Sequence, residues 1–186
     1  MSQVDAYRIL ERLRSLERAR DKLLQCAYLA LRISDANKLA PRHLDYQHHV
    51  VRIKTGKTQL PCVIPFLDDD VFRPVALVEK YRPLGLPTCL PVGTGLDDYL
   101  PTVARLAGLT RIALTSKVGR KTFVTLKLAQ GVPRQVVMQA TGHKTESSFN
   151  RYVGVDEAEL VATYRRTARQ VAKKGGPAGS AEREAA

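Results

Sequence analysis

The sequence predicts a mostly helical α+β domain that carries one small antiparallel sheet or hairpin. Three observations point there. Apolar residues recur at helical spacing through the N-terminal third, the period drops to two between His49 and Pro65, and helical spacing then returns. A chain of 186 residues can bury one substantial core and is short for two.

In chain order, Ile9, Leu10, Leu13 and Leu16, then Leu23, Leu24, Ala27 and Leu31, mark the N-terminal helical region. Ser34 is placed to cap a second short helix that ends before Pro41. Val51 and Ile53 then share one strand face and Arg52 and Lys54 the other, with a turn over Thr55, Gly56, Lys57 and Thr58. The stretch "DDDVFRPVALVEKY" turns helical after Pro74, and "GLPTCLPVGTG" is loop. A further helix, "LDDYLPTVARLAG", has Pro101 near its first turn. Ser116 is placed to cap "KVGRKTFVTLKLAQ", which stops at Gly131. Pro133 opens "PRQVVMQA", and "ESSFNRY" is one more short helical piece. "DEAELVATYRRTARQVAKK" opens with acids and closes with bases, as the helix dipole favours. Residues 173–186 read as a flexible tail, so the domain is expected over 1–172.

Composition narrows the chemistry. With 30 Lys+Arg against 18 Asp+Glu, the formal charge is +12, which points to a polyanionic partner, nucleic acid first. Cys26, Cys62 and Cys89 are odd in number and form no C-x-x-C pair, which argues against disulfides and zinc. Neither a signal peptide nor a bilayer-spanning run is visible, so a cytoplasmic protein is expected. The "TGKT" at Thr55–Thr58 resembles the end of a phosphate-binding loop, but that motif needs a glycine where Val51 stands, and Pro61 and Pro65 prevent a following helix. His43, His48 and His49 lack a carboxylate or cysteine at ligand spacing, so no metal site is expected.

Three segments remain to be explained together. "LALRISDANKL" sets Arg32 at a helix junction, and "LTSKVGRKTFVTLKLAQGV" sets Lys117 and Arg120 on one helix face. "ATGHKTESSFNRYV" holds a Gly-His pair followed by Tyr152. With the hairpin "RIKTGK", these segments resemble, in order and spacing over roughly residues 20–165, the catalytic domain of the tyrosine recombinases, the phage-integrase family. That family's pattern is an arginine at a helix junction, a lysine on a β-hairpin, His-x-x-Arg opening a helix, a Leu-Gly-His turn, and a tyrosine. Taken singly, each residue reads as an ordinary surface or core side chain; the joint order carries the resemblance.

The resemblance implies a DNA-cleaving and rejoining enzyme that uses neither metal nor ATP. Arg32 and Arg120 would clamp the phosphate, because guanidinium keeps its charge and meets oxygens in a planar fork. His143 would add a hydrogen bond, and Tyr152 would attack phosphorus to give a 3′-phosphotyrosine and a free 5′-hydroxyl. Lys54, at the end of its strand, would protonate the departing 5′-oxygen, with Lys57 as runner-up.

Three departures from the pattern stand out. Lys117 replaces the usual histidine, Thr141 replaces the usual leucine with no consequence expected, and only about twenty residues precede the match, where the family has a helical DNA-clamping domain. A truncated or naturally shortened chain is therefore expected. The partner implied is double-stranded DNA, with no membrane, the protein being a monomer alone and a tetramer on paired sites, in a bacterial nucleoid or encoded by a phage or mobile element. Two alternatives stand beside site-specific recombination or integration: a type IB topoisomerase-like relaxing enzyme, and a DNA-binding module that has lost cleavage.

Overall fold

The computed structural model describes residues 3–56, 59, 61–110, 113–153, 161 and 165. Two compact units divide the chain, Met1–Val153 and Gly154–Ala186. In the second, Val161 and Arg165 are helical, and the rest of the expected C-terminal helix and the tail at 173–186 lie outside the described residues. Among the described residues no helix is long and apolar enough to cross a membrane.

The first unit opens with α1 (Gln3–Tyr28), the longest of its helices. Its periodic leucines divide into two groups. Ile9, Leu10 and Leu13 are half-exposed or more, whereas from Ala19 onward Cys26, Ala27 and Leu29 enter the core. Helical spacing at the start of α1 thus marks the helix without marking a buried stripe. After Ala30, whose φ of 52° is left-handed, come α2 (Ile33–Ala36), a 3-10 turn (Pro41–His43) and a three-stranded antiparallel sheet. Its strands are β1 (Leu44–Asp45), β2 (Val50–Lys54) and β3 (Pro61–Pro65), in the order β1-β2-β3. Lys54 pairs with Pro61 and Ile53 with Cys62. The expected alternation holds: Val51 and Ile53 are buried and Arg52 and Lys54 exposed. β1 escaped the sequence reading because two residues show no period.

Helices α3 (Pro74–Tyr81), α4 (Leu96–Leu106), α5 (Ser116–Ala129), α6 (Arg134–Thr141) and α7 (Glu146–Asn150) follow. Where the boundaries differ from expectation, the capping is at fault. Ser34 lies inside α2, whose N-cap is Arg32, and Ser116 is the first residue of α5, whose N-cap is Thr115; neither helix has a side-chain cap bond. Instead the Ser116 amide donates to Asp97 on α4 at 2.7 Å, which sets a carboxylate at the positive end of α5. Pro101 sits in the second turn of α4.

Three apolar clusters organise the unit. One joins the buried face of β2 and β3 to α1 and α3 through Cys26, Leu29, Val51, Ile53, Cys62, Ile64, Leu77 and Val78. A second joins α5, α6 and α7 through Phe123, Val124, Val137, Ala140 and Phe149, with Tyr152 packed on its margin. A third holds α4 on α1 through Ala19, Leu96 and Leu100. The α1–α5 crossing is a close one. A Cβ on Gly119 would lie 2.8 Å from Cys26 Cβ, 3.0 Å from the Leu23 carbonyl oxygen and 3.1 Å from the Ala27 nitrogen. Only a residue without a side chain lets the two backbones come this close. Gly119→Ala is therefore expected to destabilise the fold by about 1–3 kcal/mol, the usual range for overpacking. Urea unfolding would measure it, and an unchanged midpoint would show that the crossing can open without strain.

Candidate active site

The site is built where four segments of the first unit meet. Arg32 arrives first, because α1 ends and the chain turns through the left-handed Ala30 into α2. Its backbone is extended at the N-cap of α2, φ −74° and ψ 155°, and its side chain is half-buried. The next residue in α5 after the close-packed Gly119 is Arg120, which is only 2% exposed. Arg120 Nη2 donates to the backbone carbonyl of Thr141, the last residue of α6. Its guanidinium carbon lies 5.6 Å from the centre of the Tyr152 ring, a cation–π arrangement.

The turn after α6 delivers His143. Gly142 adopts φ 65°, the His143 amide donates to the Met138 carbonyl at 3.1 Å and the Gly142 amide to Gln139 at 3.1 Å. This is a Schellman closure, which asks for glycine at the left-handed position. A Cβ on Gly142 would also lie 2.5 Å from Cys62 Sγ, so the turn is seated directly on β3. The His143 ring then meets Tyr152 with centroids 4.8 Å apart and Phe149 edge-on at 5.3 Å. Tyr152 itself follows α7, with its amide donating to the Phe149 carbonyl at 2.8 Å.

Arg32, Ser34, Ser116, Lys117, Arg120 and Tyr152 line one cavity of about 310 Å³. Tyr152 therefore faces the arginines of its own chain. Of the residues singled out in the sequence, the structure brings together Arg32, Lys117, Arg120, His143 and Tyr152. Lys117 is exposed at the cavity's edge, and Arg120 is deep inside it. Lys54 is not brought in: it is exposed on the outward face of β2 and is not among the lining residues. Lys57 lies outside the described residues.

The cavity is lined by cationic side chains. Burial, reinforced by the charge of Arg32, pulls the Arg120 guanidinium down to about 10, still charged at neutral pH. Burial, then Arg120 and Arg32, depress His143 to about 4, so the free ring is neutral at pH 7. Arg32 Nη1, Arg120 Nε and His143 Nε2 are all buried without a hydrogen-bond partner among the described residues. Unsatisfied buried polar atoms carry a penalty, and three in one site point to a polar ligand.

Two residues here were not assigned a role by the sequence reading. Asp35 is 1% exposed, and its Oδ1 accepts the Gly56 amide at 2.8 Å, which ties the β2–β3 loop to the helix of Arg32. The legible signal was a carboxylate one helical turn after Arg32 in "LRISD". Thr141, expected to be of no consequence, gives its carbonyl to Arg120 and its hydroxyl to His143 Nδ1 at 2.7 Å. His43 and His48 make local bonds, to the Ala40 amide and to Asp45. Among the described residues no group of three His, Cys, Asp or Glu could hold a metal ion.

This architecture matches solved structures. XerA recombinase superposes with a TM-score of 0.60 at 18% identity, covering 96% of this chain and 65% of that one. The fold is that of the tyrosine recombinase catalytic domain. A lambda integrase dimer bound to a COC′ core site gives 0.64 at 17% identity, over 78% of this chain and 56% of that one. XerH site-specific recombinase bound to palindromic difH substrate gives 0.59 at 19% identity, over 82% and 49%. The chain thus spans about half to two thirds of the recombinase chains it matches. No family model and no curated protein matches the sequence. Within the recombinase fold, the α1–α2 junction, α5 and the segment after α7 line the cavity, and the α6–α7 turn sets His143 against Tyr152.

The depressed His143 has a consequence for stability. Between pH 6.5 and about 4 the unfolded chain binds a proton at this position and the folded chain does not. Stability is therefore expected to fall as pH drops through that window and to level off, for this group, below it. In His143→Gln that component of the slope should vanish. Chemical denaturation at several pH values between 4 and 7 measures it, and identical slopes in both proteins would show a histidine that titrates normally.

Proposed function

We propose that this chain cleaves and rejoins DNA strands through a covalent bond to Tyr152, as a site-specific recombinase or integrase. The observation that carries this reading is the cavity itself, where a tyrosine stands against a buried and a half-buried guanidinium, each with a nitrogen that has no hydrogen-bond partner among the described residues. Double-stranded DNA fits the +12 charge, and assembly into a tetramer on paired sites follows from the same reading.

Transfer of a phosphodiester to a phenol needs stabilisation of negative charge on the non-bridging oxygens as phosphorus becomes five-coordinate. Arg32 and Arg120 do this from fixed positions, where no reorganisation is needed at the moment of reaction. Lys117 adds a positive charge at the mouth, and the His143 ring adds a hydrogen bond to the phosphate. Tyr152 Oη forms the new bond to phosphorus as the bond to the 5′-oxygen breaks. The 3′-phosphotyrosine keeps the energy of the ester, so a second 5′-hydroxyl reverses the step without ATP. The 5′-oxygen leaves poorly without a proton. Lys54 supplies it after the hairpin or its side chain moves, since it stands on the outward face of β2 in the free chain.

Tyr152→Phe removes one hydroxyl and no charge. It is expected to abolish covalent capture on nicked DNA substrates while DNA affinity stays within about twofold, a change of under ~0.5 kcal/mol. An adduct surviving in this variant would move the nucleophile elsewhere.

Lys54→Ala should slow cleavage of ordinary DNA by about 100-fold or more, the usual worth of a general acid. On substrates with sulfur in place of the bridging 5′-oxygen, whose thiolate departs without a proton, the same variant should cleave nearly as fast as wild type. Arg32→Ala should not be rescued. Equal defects of Lys54→Ala on both substrates would remove this lysine from the proton path.

A further inference from the structure

The hydroxyl of Thr141 is engaged from three sides. Its Oγ1 lies 2.8 Å from the Val137 carbonyl, 3.1 Å from the Met138 carbonyl and 2.7 Å from His143 Nδ1. A single hydroxyl proton cannot serve all three. Were it directed at Nδ1, Oγ1 and the Val137 oxygen would face each other at 2.8 Å with no proton between two acceptors, a repulsive contact in a buried place. Directed at Val137, it leaves an Oγ1 lone pair toward the imidazole, and the ring supplies the second proton from Nδ1. Only this arrangement bridges both of the shortest contacts with hydrogen.

The neutral ring carries one N–H. With that proton on Nδ1, Nε2 is a bare lone pair, buried and without a partner. The two other orphaned nitrogens of the site, on Arg32 and Arg120, are donors. A phosphodiester offers oxygen acceptors, which suit the two donors and leave the lone pair unmet. The Tyr152 ring lies beside it, 4.8 Å away between centroids, and its hydroxyl makes no hydrogen bond to Nε2 in the free chain, so the phenol is the donor that a small ring movement would bring to it.

We propose that Thr141 is a positioning residue that fixes His143 in its Nδ1–H tautomer, so that Nε2 accepts the proton of Tyr152. The second clause rests on the function proposed above; the first does not. In the step, the Tyr152 O–H bond breaks and its proton passes to Nε2. The phenolate pair forms the bond to phosphorus as the bond to the 5′-oxygen breaks. The imidazolium so formed keeps Nδ1–H on Thr141 and turns its new Nε2–H toward the phosphate, giving the hydrogen bond assigned to His143. Rejoining returns the proton to the phenol. Burial and two guanidiniums keep the free ring neutral, the state from which it can accept, and the phosphate charge of bound DNA offsets those cations and raises its basicity. A leucine at position 141 would leave Nδ1 without this acceptor.

Long-range proton–nitrogen spectra of the whole chain at pH 7 distinguish the tautomers, with His143→Gln identifying the ring among the four histidines. Wild type and Thr141→Ser should show Nδ1–H. Thr141→Val, of equal volume but without the hydroxyl, should shift toward Nε2–H. On nicked DNA, Thr141→Val should form adduct about tenfold more slowly or worse, and Thr141→Ser should stay within about threefold of wild type. A wild-type ring in the Nε2–H form overturns the proposal even if the valine variant does not fold, as does an unchanged tautomer in Thr141→Val. A shifted tautomer with unchanged cleavage overturns the proton-acceptor role. If wild type forms no adduct, the functional reading fails, while the spectra still decide whether Thr141 sets the tautomer.

Discussion

A guanidinium taken out of water must be held by fixed acceptors, and the burial of Arg120 is the constraint around which this domain is arranged. The Thr141 carbonyl takes one of its nitrogens, and the Tyr152 ring lies beside its charge. Each of those partners is held by something further away. Thr141 ends a helix closed by Gly142, which is pressed against Cys62 of β3, and Tyr152 is anchored through Phe149. Arg120 itself follows the close crossing at Gly119. Two positions without a side chain thus fix where the charge sits, one through a helix crossing and one through a turn.

The contrast with Asp21 shows what distinguishes this site from an ordinary buried charge. Burial raises the Asp21 carboxyl, but hydrogen bonds from Arg20, Lys80 and Tyr81 outweigh it and hold it below its usual value. Those bonds are 2.7, 2.5 and 2.9 Å long, so the group is satisfied inside the chain and acts to brace α3 against α1. Arg120 and Arg32 have no such closure. Asp35 is the nearby carboxylate: its Oδ1 accepts the Gly56 amide, its Oδ2 is buried without a hydrogen-bond partner among the described residues, and its charge offsets only part of the cationic field on Arg120. The site is left cationic, with orphaned donors.

Much of this was legible in the sequence because the signals are local. Period two revealed β2 and β3, Pro133 announced α6, and the Gly-His pair carried its own turn geometry. Arg32, Arg120, His143 and Tyr152 were legible as a set only through their order. What was not legible depends on partners distant in sequence. Ser116 had the chemistry of a cap, yet Asp97, nineteen positions earlier, supplies the acceptor for its amide. The spacing of Ile9, Leu10 and Leu13 could not reveal that the core begins only further along α1. Thr141 looked inert because its value lies in a carbonyl, which no residue name displays, and in a hydroxyl whose partner depends on the turn. The hairpin was recognised, but the outward direction of Lys54 follows from register with Pro61 and Cys62.

Two guanidiniums confined beside one cavity repel each other only while the chain is folded, since unfolding lets them separate into water. An oxyanion lodged between them removes that repulsion in the native state alone. Ligation and folding are then coupled by mass action, with a gain that grows as the logarithm of anion concentration. Phosphate or sulfate would make the protein more resistant to heat, and would do so by occupying the cavity. The storage buffer in which this domain is most robust is thus the one in which its cavity is least open to any other anion.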